Sequence, residues 1–421
     1  MVEKVVAAGL VLPELTRRVA EEHLEELTRL IESAGAVVVS TVLAKRKSPD
    51  PATFVGSGKA EEIGDLAKRH GATRIVLDDD LSPAQIRNLE KITGLSVIDR
   101  SGLILDIFAG RARSREARTQ VELAQLEYLL PRLTRQWSHL SRQAGGAGGG
   151  AKRGVGETQL ELDRRIVRTR IGRLKDDLAK IERTRQTQRK ARGSLFTVAL
   201  VGYTNAGKST LFNRLTRGGA AAADKLFATL DARSQRIAFE MPLQTVVIDT
   251  VGFIRKLPHH LVASFRSTME EAVAADLVLH VIDGSHPQRS EQREVGTAVL
   301  HDLGIEPERV IDVYNKSDRM TDELSERRAR GAVVVSALTG AGIEALAEAI
   351  TVRQREGGTV MRLEVPHGEP RVVAQLHEIG QIYRQTVTDH ATVFTAWVPN
   401  DAVHLFDAFS AARLLETAKV S

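Results

Sequence analysis

The sequence contains no cysteine. Disulfides and thiolate metal sites are excluded, and the composition suits a reducing cytoplasm. No run of 18 apolar residues occurs, so no transmembrane helix is expected. Residues 1–18 hold a lysine, but their apolar run is short and flanked by acids; they read as a first strand and not as a signal peptide. Twelve histidines form no H-x-x-x-H pair. His259 and His260 adjoin, and they read as loop surface before metal ligands.

What is present divides unevenly. A chain of 421 residues with 42% apolar content has enough material for two to four domains. Its net charge is only +5, but residues 111–192 hold 21 Lys/Arg against 9 Asp/Glu, a net of +12. The remainder is therefore acidic. One polyanion-binding segment explains that asymmetry better than a generally basic surface.

Four parts are expected: an N-terminal α/β domain (1–110), a basic helical hairpin with a Gly-rich tip (111–193), a P-loop domain (194–356) and a small α+β C-terminal domain (357–421). In the first, strands are expected at 36–43, 73–77 and 95–98. Helices are expected at 59–71 and 82–94, with Ser82 as N-cap and Pro83 at the first turn. That βαβαβ order implies a small parallel sheet. In the second, Leu123, Leu126, Leu130 and Leu133 share a 3-4-3 spacing with Ile171, Leu174, Leu178 and Ile181, which implies two antiparallel arms. Pro131 is expected to kink the first arm. The second arm, about 157–191, would be roughly 50 Å long. The tip between them holds seven glycines in residues 145–156. In the third, strands are expected at 196–201, 235–240, 244–248, 277–282, 309–314 and 332–335, a doubly wound sheet. Residues 356–360 read as a linker. The tail is expected to hold strands at 371–375 and 392–398 and helices at 376–384 and 401–413.

The chemistry concentrates in the third part. Residues 197–215, "TVALVGYTNAGKSTLFNRL", are an apolar strand, a G-x-x-x-x-G-K-[ST] loop and a helix start. Backbone amides across Gly202, Tyr203, Thr204, Asn205, Ala206 and Gly207 would cradle phosphates, with Thr210 inside the helix start. Lys208 is placed to reach the β- and γ-phosphates and Ser209 to bind Mg²⁺. Residues 245–253 form a strand ending in D-x-x-G: Asp249 is a second Mg²⁺ candidate, and the Gly252 amide can sense the γ-phosphate. Phe227 and Thr229, in "LFATLD", take the switch I position, with Thr229 as a third metal candidate. Asn315, Lys316 and Asp318 form N-K-S-D after a strand. The Asp318 carboxylate can accept two hydrogens that guanine offers and adenine lacks. Ser336, Ala337 and Leu338 would complete the base pocket. Lys208, Thr229 and Gly252 are the expected catalytic groups.

Three weaker features admit two readings each. Residues 55–59, "VGSGK", are more simply a turn and helix start than a second phosphate loop. Trp137 and His139 could stack on RNA bases or pack the hairpin. Asn205 could hold K⁺ beside the phosphates or only brace the loop. The cations Lys152, Arg153, Arg164, Arg165 and Arg168 are read as an RNA surface because of the regional charge.

The pieces "GYTNAGKSTLFN", "LFATLD", "DTVGFIRKLPHHLVASFRSTMEE" and "VGETQLELDRR", with residues 50–63 and 98–112, resemble the HflX family of the Obg–HflX group. The resemblance covers nearly the whole chain and is weakest after about residue 360. It implies a monomeric, cytoplasmic GTPase that docks on the ribosomal large subunit and its rRNA and acts in splitting or rescue of stalled ribosomes under stress. At the hairpin tip Val155 stands where the family carries proline. Two other outcomes fit the same motifs: a GTPase of large-subunit assembly, and an RNA-binding scaffold without turnover. The second draws on Phe253, which follows D-x-x-G where many signalling GTPases carry a water-orienting glutamine.

Overall fold

The computed structural model describes residues 2–133, 159–190, 195–216, 218, 226–227, 230, 233–241, 243–256, 266–320 and 332–413. These divide into two compact units. The first is drawn from Met1–Glu182, Asp224–Asp231 and Ile254–Arg266, the second from Arg183–Ala223, Ala232–Phe253 and Ser267–Ser421.

The first unit is built on β1 (Lys4–Val11), β2 (Val37–Lys45), β3 (Arg74–Leu77) and β4 (Ser96–Ile98), all parallel, in the order β2-β1-β3-β4. Strand β1 reads as a continuous apolar run because both of its faces are covered. Around the sheet lie α1 (Arg17–Ser33), α2 (Ser57–Arg69), α3 (Pro83–Thr93) and α4 (Arg100–Arg111). The α3 start is the expected one: Ser82 and Gln85 form a reciprocal capping box, Pro83 sits in the first turn, and Gly94 closes the helix in the left-handed region at φ 69°. Residues 55–59 start α2 at Ser57, so they form the turn and helix start.

The arms are α5 (Arg115–Leu129) and α6 (Gln159–Lys190). Leu123, Leu133 and Leu174 are buried. Arg170 and Lys175 reach across to Glu122 and Glu127, at 2.7 and 2.9 Å. Pro131 ends the α-helix instead of kinking a longer one: the chain tightens into a 3₁₀ turn at Leu130–Arg132. At 32 residues, α6 is roughly 48 Å long. The Gly-rich tip, with Trp137, His139, Lys152, Arg153 and Val155, lies outside the described residues.

In the second unit, β5 (Phe196–Gly202), β6 (Arg233–Arg236), β7 (Thr245–Asp249), β8 (Leu277–Asp283), β9 (Val310–Asn315) and β10 (Val333–Val334) form a six-stranded sheet in the order β10-β9-β8-β5-β7-β6. Only β6 runs antiparallel, at the edge beside β7, and its four residues are all exposed. Its start precedes the expected strand by two residues. Among the described residues, four helices accompany the sheet: α7 (Lys208–Thr216), α8 (Arg266–Ala274), α9 (Arg289–Asp302) and α10 (Ile343–Glu356).

The tail differs most from expectation. A four-stranded antiparallel sheet, β12-β13-β11-β14, is formed by β11 (Gly358–Pro366), β12 (Gln381–Val387), β13 (Ala391–Pro399) and β14 (Ser410–Arg413). Residues 371–375, expected as a strand, belong to α11 (Pro370–Ile379). The adjacent β-branched pair Val372–Val373 suggested a strand, but it joins Leu376 and Ile379 on one apolar helix face. The expected helix at 401–413 is two 3₁₀ turns followed by β14. Nor is 356–360 a linker. Gly357 caps α10, and Gly358 opens β11 directly beneath Trp397, where a Cβ would lie 2.3 Å from the indole.

Candidate nucleotide site

The loop joining β5 to α7 has the backbone that its two glycines permit. Gly202 sits at φ +143°, and a Cβ there would lie 2.1 Å from the Val281 carbonyl oxygen. Gly207 sits at φ +92°, with a Cβ position 2.2 Å from Asn315 Nδ2. Neither position accepts a side chain without moving a strand or the base-recognition loop. Asn205, between them, is also left-handed at φ 62°, which asparagine tolerates better than most residues.

Lys208 points back into this loop. Its Nζ donates to the carbonyl oxygens of Gly202 and Tyr203 at 3.0 and 2.9 Å, and the side chain is buried. Burial pulls its pKa from 10.5 to about 8, with Asp249 opposing the shift. A bound phosphate would restore the charged form, so binding above pH 8 requires proton uptake by the lysine. Nucleotide affinity is expected to fall about tenfold between pH 7 and pH 9 as the free lysine loses its proton. Calorimetry near pH 8.5 in two buffers of different ionisation heat would detect the uptake. Equal heats in the two would contradict it.

Ser209 Oγ donates to Asp249 Oδ2 at 2.8 Å, which brings two of the three metal candidates together, one in the first turn of α7 and the other at the end of β7. Both offer hard oxygen donors, the type Mg²⁺ requires. Thr229, the third candidate, lies outside the described residues. Thr210 is half-buried on α7, one residue further on.

Behind D-x-x-G the chain is zipped to the phosphate loop. Phe253 N donates to Gly202 O at 2.9 Å, and Thr204 N donates to Phe253 O at 2.7 Å. Tyr203 and Phe253 form a parallel bridge that extends the β5–β7 pairing. The Phe253 side chain is 1% exposed, so it is core packing in this state. Gly252 lies close beneath: a Cβ there would be 2.9 Å from Lys208 Nζ and from the Thr204 Cα.

The base-recognition residues assemble around Asn315. Its Nδ2 donates to Ala206 O at 2.8 Å and its Oδ1 accepts from Ala337 N at 2.9 Å, so one side chain joins the phosphate loop to the S-A-L loop. Ser336 Oγ donates to Asp318 Oδ1 and orients that carboxylate. Lys316 is left-handed at φ 64°, and its Nζ is held by Asp283 Oδ2 at 2.7 Å. Leu338 is 67% exposed. Asp283 and Arg214 were not singled out by the sequence. Arg214, on α7, donates to Ala337 O at 3.1 Å. Asp283 ends an apolar strand before glycine, a pattern that could have marked it.

Phe227 is held within the first unit. It sits at φ 55° with its ring edge-on to Phe108 of α4, centroids 4.6 Å apart. Among the RNA candidates, Arg165 and Arg168 are exposed, while Arg164 donates to Leu133 O at 3.2 Å and caps the end of the other arm.

Three family models match the chain: a GTP-binding GTPase N-terminal region at residues 21–109, a GTP-binding GTPase middle region at 111–192, and a 50S ribosome-binding GTPase at 197–316. GTPase HflX of Magnetococcus marinus is 46% identical, over 87% of this chain and 85% of the relative. GTPase HflX of Escherichia coli (strain K12) is 44% identical over 88% of each. Among solved structures, a GTP-binding protein from Sulfolobus solfataricus in complex with GDP aligns at 24% identity and TM-score 0.44, over 83% of this chain and 98% of that one.

Proposed function

The chain belongs to the HflX family of GTPases, and from that premise we propose that it is a cytoplasmic, monomeric factor whose GTP cycle controls docking on the ribosomal large subunit. The single observation that carries the reading is the joined site. Asn315 ties the phosphate loop to the base-recognition loop, next to the Lys208, Ser209 and Asp249 cluster. Family membership removes the scaffold without turnover, because the chain is a GTPase.

In this reading the four parts follow the boundaries given above, and residues 1–110 and the basic hairpin dock on rRNA. Ser209, Asp249 and Thr229 would hold Mg²⁺, which would neutralise charge on the phosphates. Lys208 and the loop amides bind and orient the β- and γ-phosphates, the Gly252 amide senses the γ-phosphate, and Asp318 reads guanine. Asn205 would hold K⁺ against the transferring phosphoryl group; its side-chain amide has no hydrogen-bond partner among the described residues. Hydrolysis then releases the factor, and the service performed is splitting or rescue of stalled ribosomes. Sedimentation with mature 50S, 70S and precursor particles tests this. Binding to precursors alone would move the factor to large-subunit assembly.

Docking is expected to be strongly salt-dependent, because the hairpin's net of +12 implies several phosphate contacts. Replacing Lys152 and Arg153 with alanine is expected to weaken co-sedimentation while GTP affinity stays unchanged. Unaltered co-sedimentation at moderate salt would remove the tip as a contact.

A further inference from the structure

The S-A-L loop is the expected wall of the base pocket, but its donors are not equally free. Ser336 Oγ donates to Asp318 Oδ1 and accepts from Thr339 N at 3.1 Å, so it is engaged within the protein. The Ser336 amide donates to Ala341 O and the Gly340 amide to Ser336 O, both at 2.8 Å, which closes the turn on itself. The Ala337 amide donates to Asn315 Oδ1 at 2.9 Å. Among the described residues the Leu338 amide has no partner, so it is the main-chain donor of the three that is left over.

What is held from outside the loop is its carbonyl side. Arg214, on the helix that Lys208 opens, donates from Nε to Ala337 O at 3.1 Å and from Nη2 to Leu338 O. One planar guanidinium thus fixes two successive peptide groups. Among the described residues no other donor reaches these two oxygens. Gly340 sits at φ +94° beneath the guanidinium, where a Cβ would lie 3.6 Å from Nη1. The peptide joining Ala337 to Leu338 is trans. Its C=O and N–H therefore point in opposite directions from one plane. Holding Ala337 O towards α7 turns the Leu338 N–H away from α7.

We propose that Arg214 is a positioning residue for base choice: by gripping this peptide from α7 it aims the Leu338 amide at the oxygen on C6 of guanine. The proposal rests on the reading that Asp318 and the S-A-L loop form the base pocket. In that reading the Asp318 carboxylate takes N1–H and the exocyclic amine. The oxygen on C6 then needs a donor as it leaves water, and an acceptor covered without one is costly. The Ala337 amide is already shared with Asn315, and the Leu338 amide is free to meet it.

Arg214 is exposed, so its replacement leaves neither a core cavity nor a buried charge. Arg214→Met keeps the aliphatic stem and removes every donor. In the full chain this variant is expected to bind GDP about fivefold more weakly, the scale of one lost hydrogen bond. IDP keeps the oxygen and lacks the exocyclic amine, so it is expected to lose the same factor. 6-thio-GDP keeps N1–H and the amine but carries sulfur, a poor acceptor, on C6; its affinity is expected to change less than about twofold. Arg214→Lys, a single compact cation in place of a fork, is expected to fall between Arg214→Met and wild type. Titration of the three labelled nucleotides against each protein tests this. A merely structural role would weaken all three equally. Equal losses, or no loss, in a protein whose wild type prefers GDP to 6-thio-GDP would overturn the proposal alone. Wild-type protein that binds 6-thio-GDP as tightly as GDP would overturn it together with the base-pocket reading.

Discussion

Asp318→Asn is expected to move base preference from guanine to xanthine. The carboxylate is oriented by Ser336 Oγ, and Asn315 locks both neighbouring loops through two hydrogen bonds. Guanine presents N1–H and an exocyclic amine, both donors, to the two carboxylate oxygens. An amide at this position offers one acceptor and one donor, so the guanine amine meets another donor. Xanthine carries a carbonyl there and restores the match. A site built on paired polar groups rejects the mismatched ligand by about 10⁴-fold, because the partners are left desolvated and unpaired. Titration of labelled GDP, XDP and ADP checks this. GDP binding is expected to collapse in the variant while XDP binding appears. Wild-type protein that binds ADP as tightly as GDP would contradict the assignment.

The second large effect concerns hydrolysis. Phe253 can neither donate nor accept a hydrogen bond from its side chain, and at 1% exposure it is packed in the core. It cannot orient the attacking water. The isolated chain is therefore expected to hydrolyse GTP slowly. The missing stabilisation has two sources in this account. K⁺ held by Asn205 would place positive charge on the transferring phosphoryl group, as an arginine finger does, and a docked large subunit would order the switch segments and seat Thr229. Charge supplied in this way is worth about 10³–10⁵-fold in well-characterised GTPases, so stimulation by 50S particles of at least about 10²-fold is expected. Phe253→Ala is expected to leave GTP binding intact, because the ring makes no phosphate contact. Its backbone, which does hold the loop, is unchanged by the substitution.

Local chemistry was legible in the sequence wherever the backbone itself imposes the residue. Gly202 and Gly207 could be placed because a side chain at either would strike Val281 or Asn315. Ser82 and Pro83 could be placed because a helix start has four amides to satisfy. Asp318, Asn315 and Ser336 came from one short loop motif and one strand end. The tail failed because Val372–Val373 carries strand propensity while its helical spacing is visible only with Leu376 and Ile379, and tertiary packing decides between the two. The ion pairs of Lys256 were invisible for a different reason. Lys256 meets Asp78 and Asp79 across more than 170 residues of sequence, and an ion pair at that separation has no local periodicity or spacing. Arg214 escaped in the same way, because it acts on the S-A-L loop from outside that motif.

The most direct test of the central claim, a GTPase gated by the large subunit, is single-turnover GTP hydrolysis in K⁺ and in Na⁺, each with and without 50S particles. The account predicts slow turnover by the protein alone, a large rise with 50S, and a further advantage for K⁺ over Na⁺. A rise with 50S but no difference between the cations would remove the role given to Asn205 and leave the ribosomal gate standing. Four equal rates near background would contradict the gate itself.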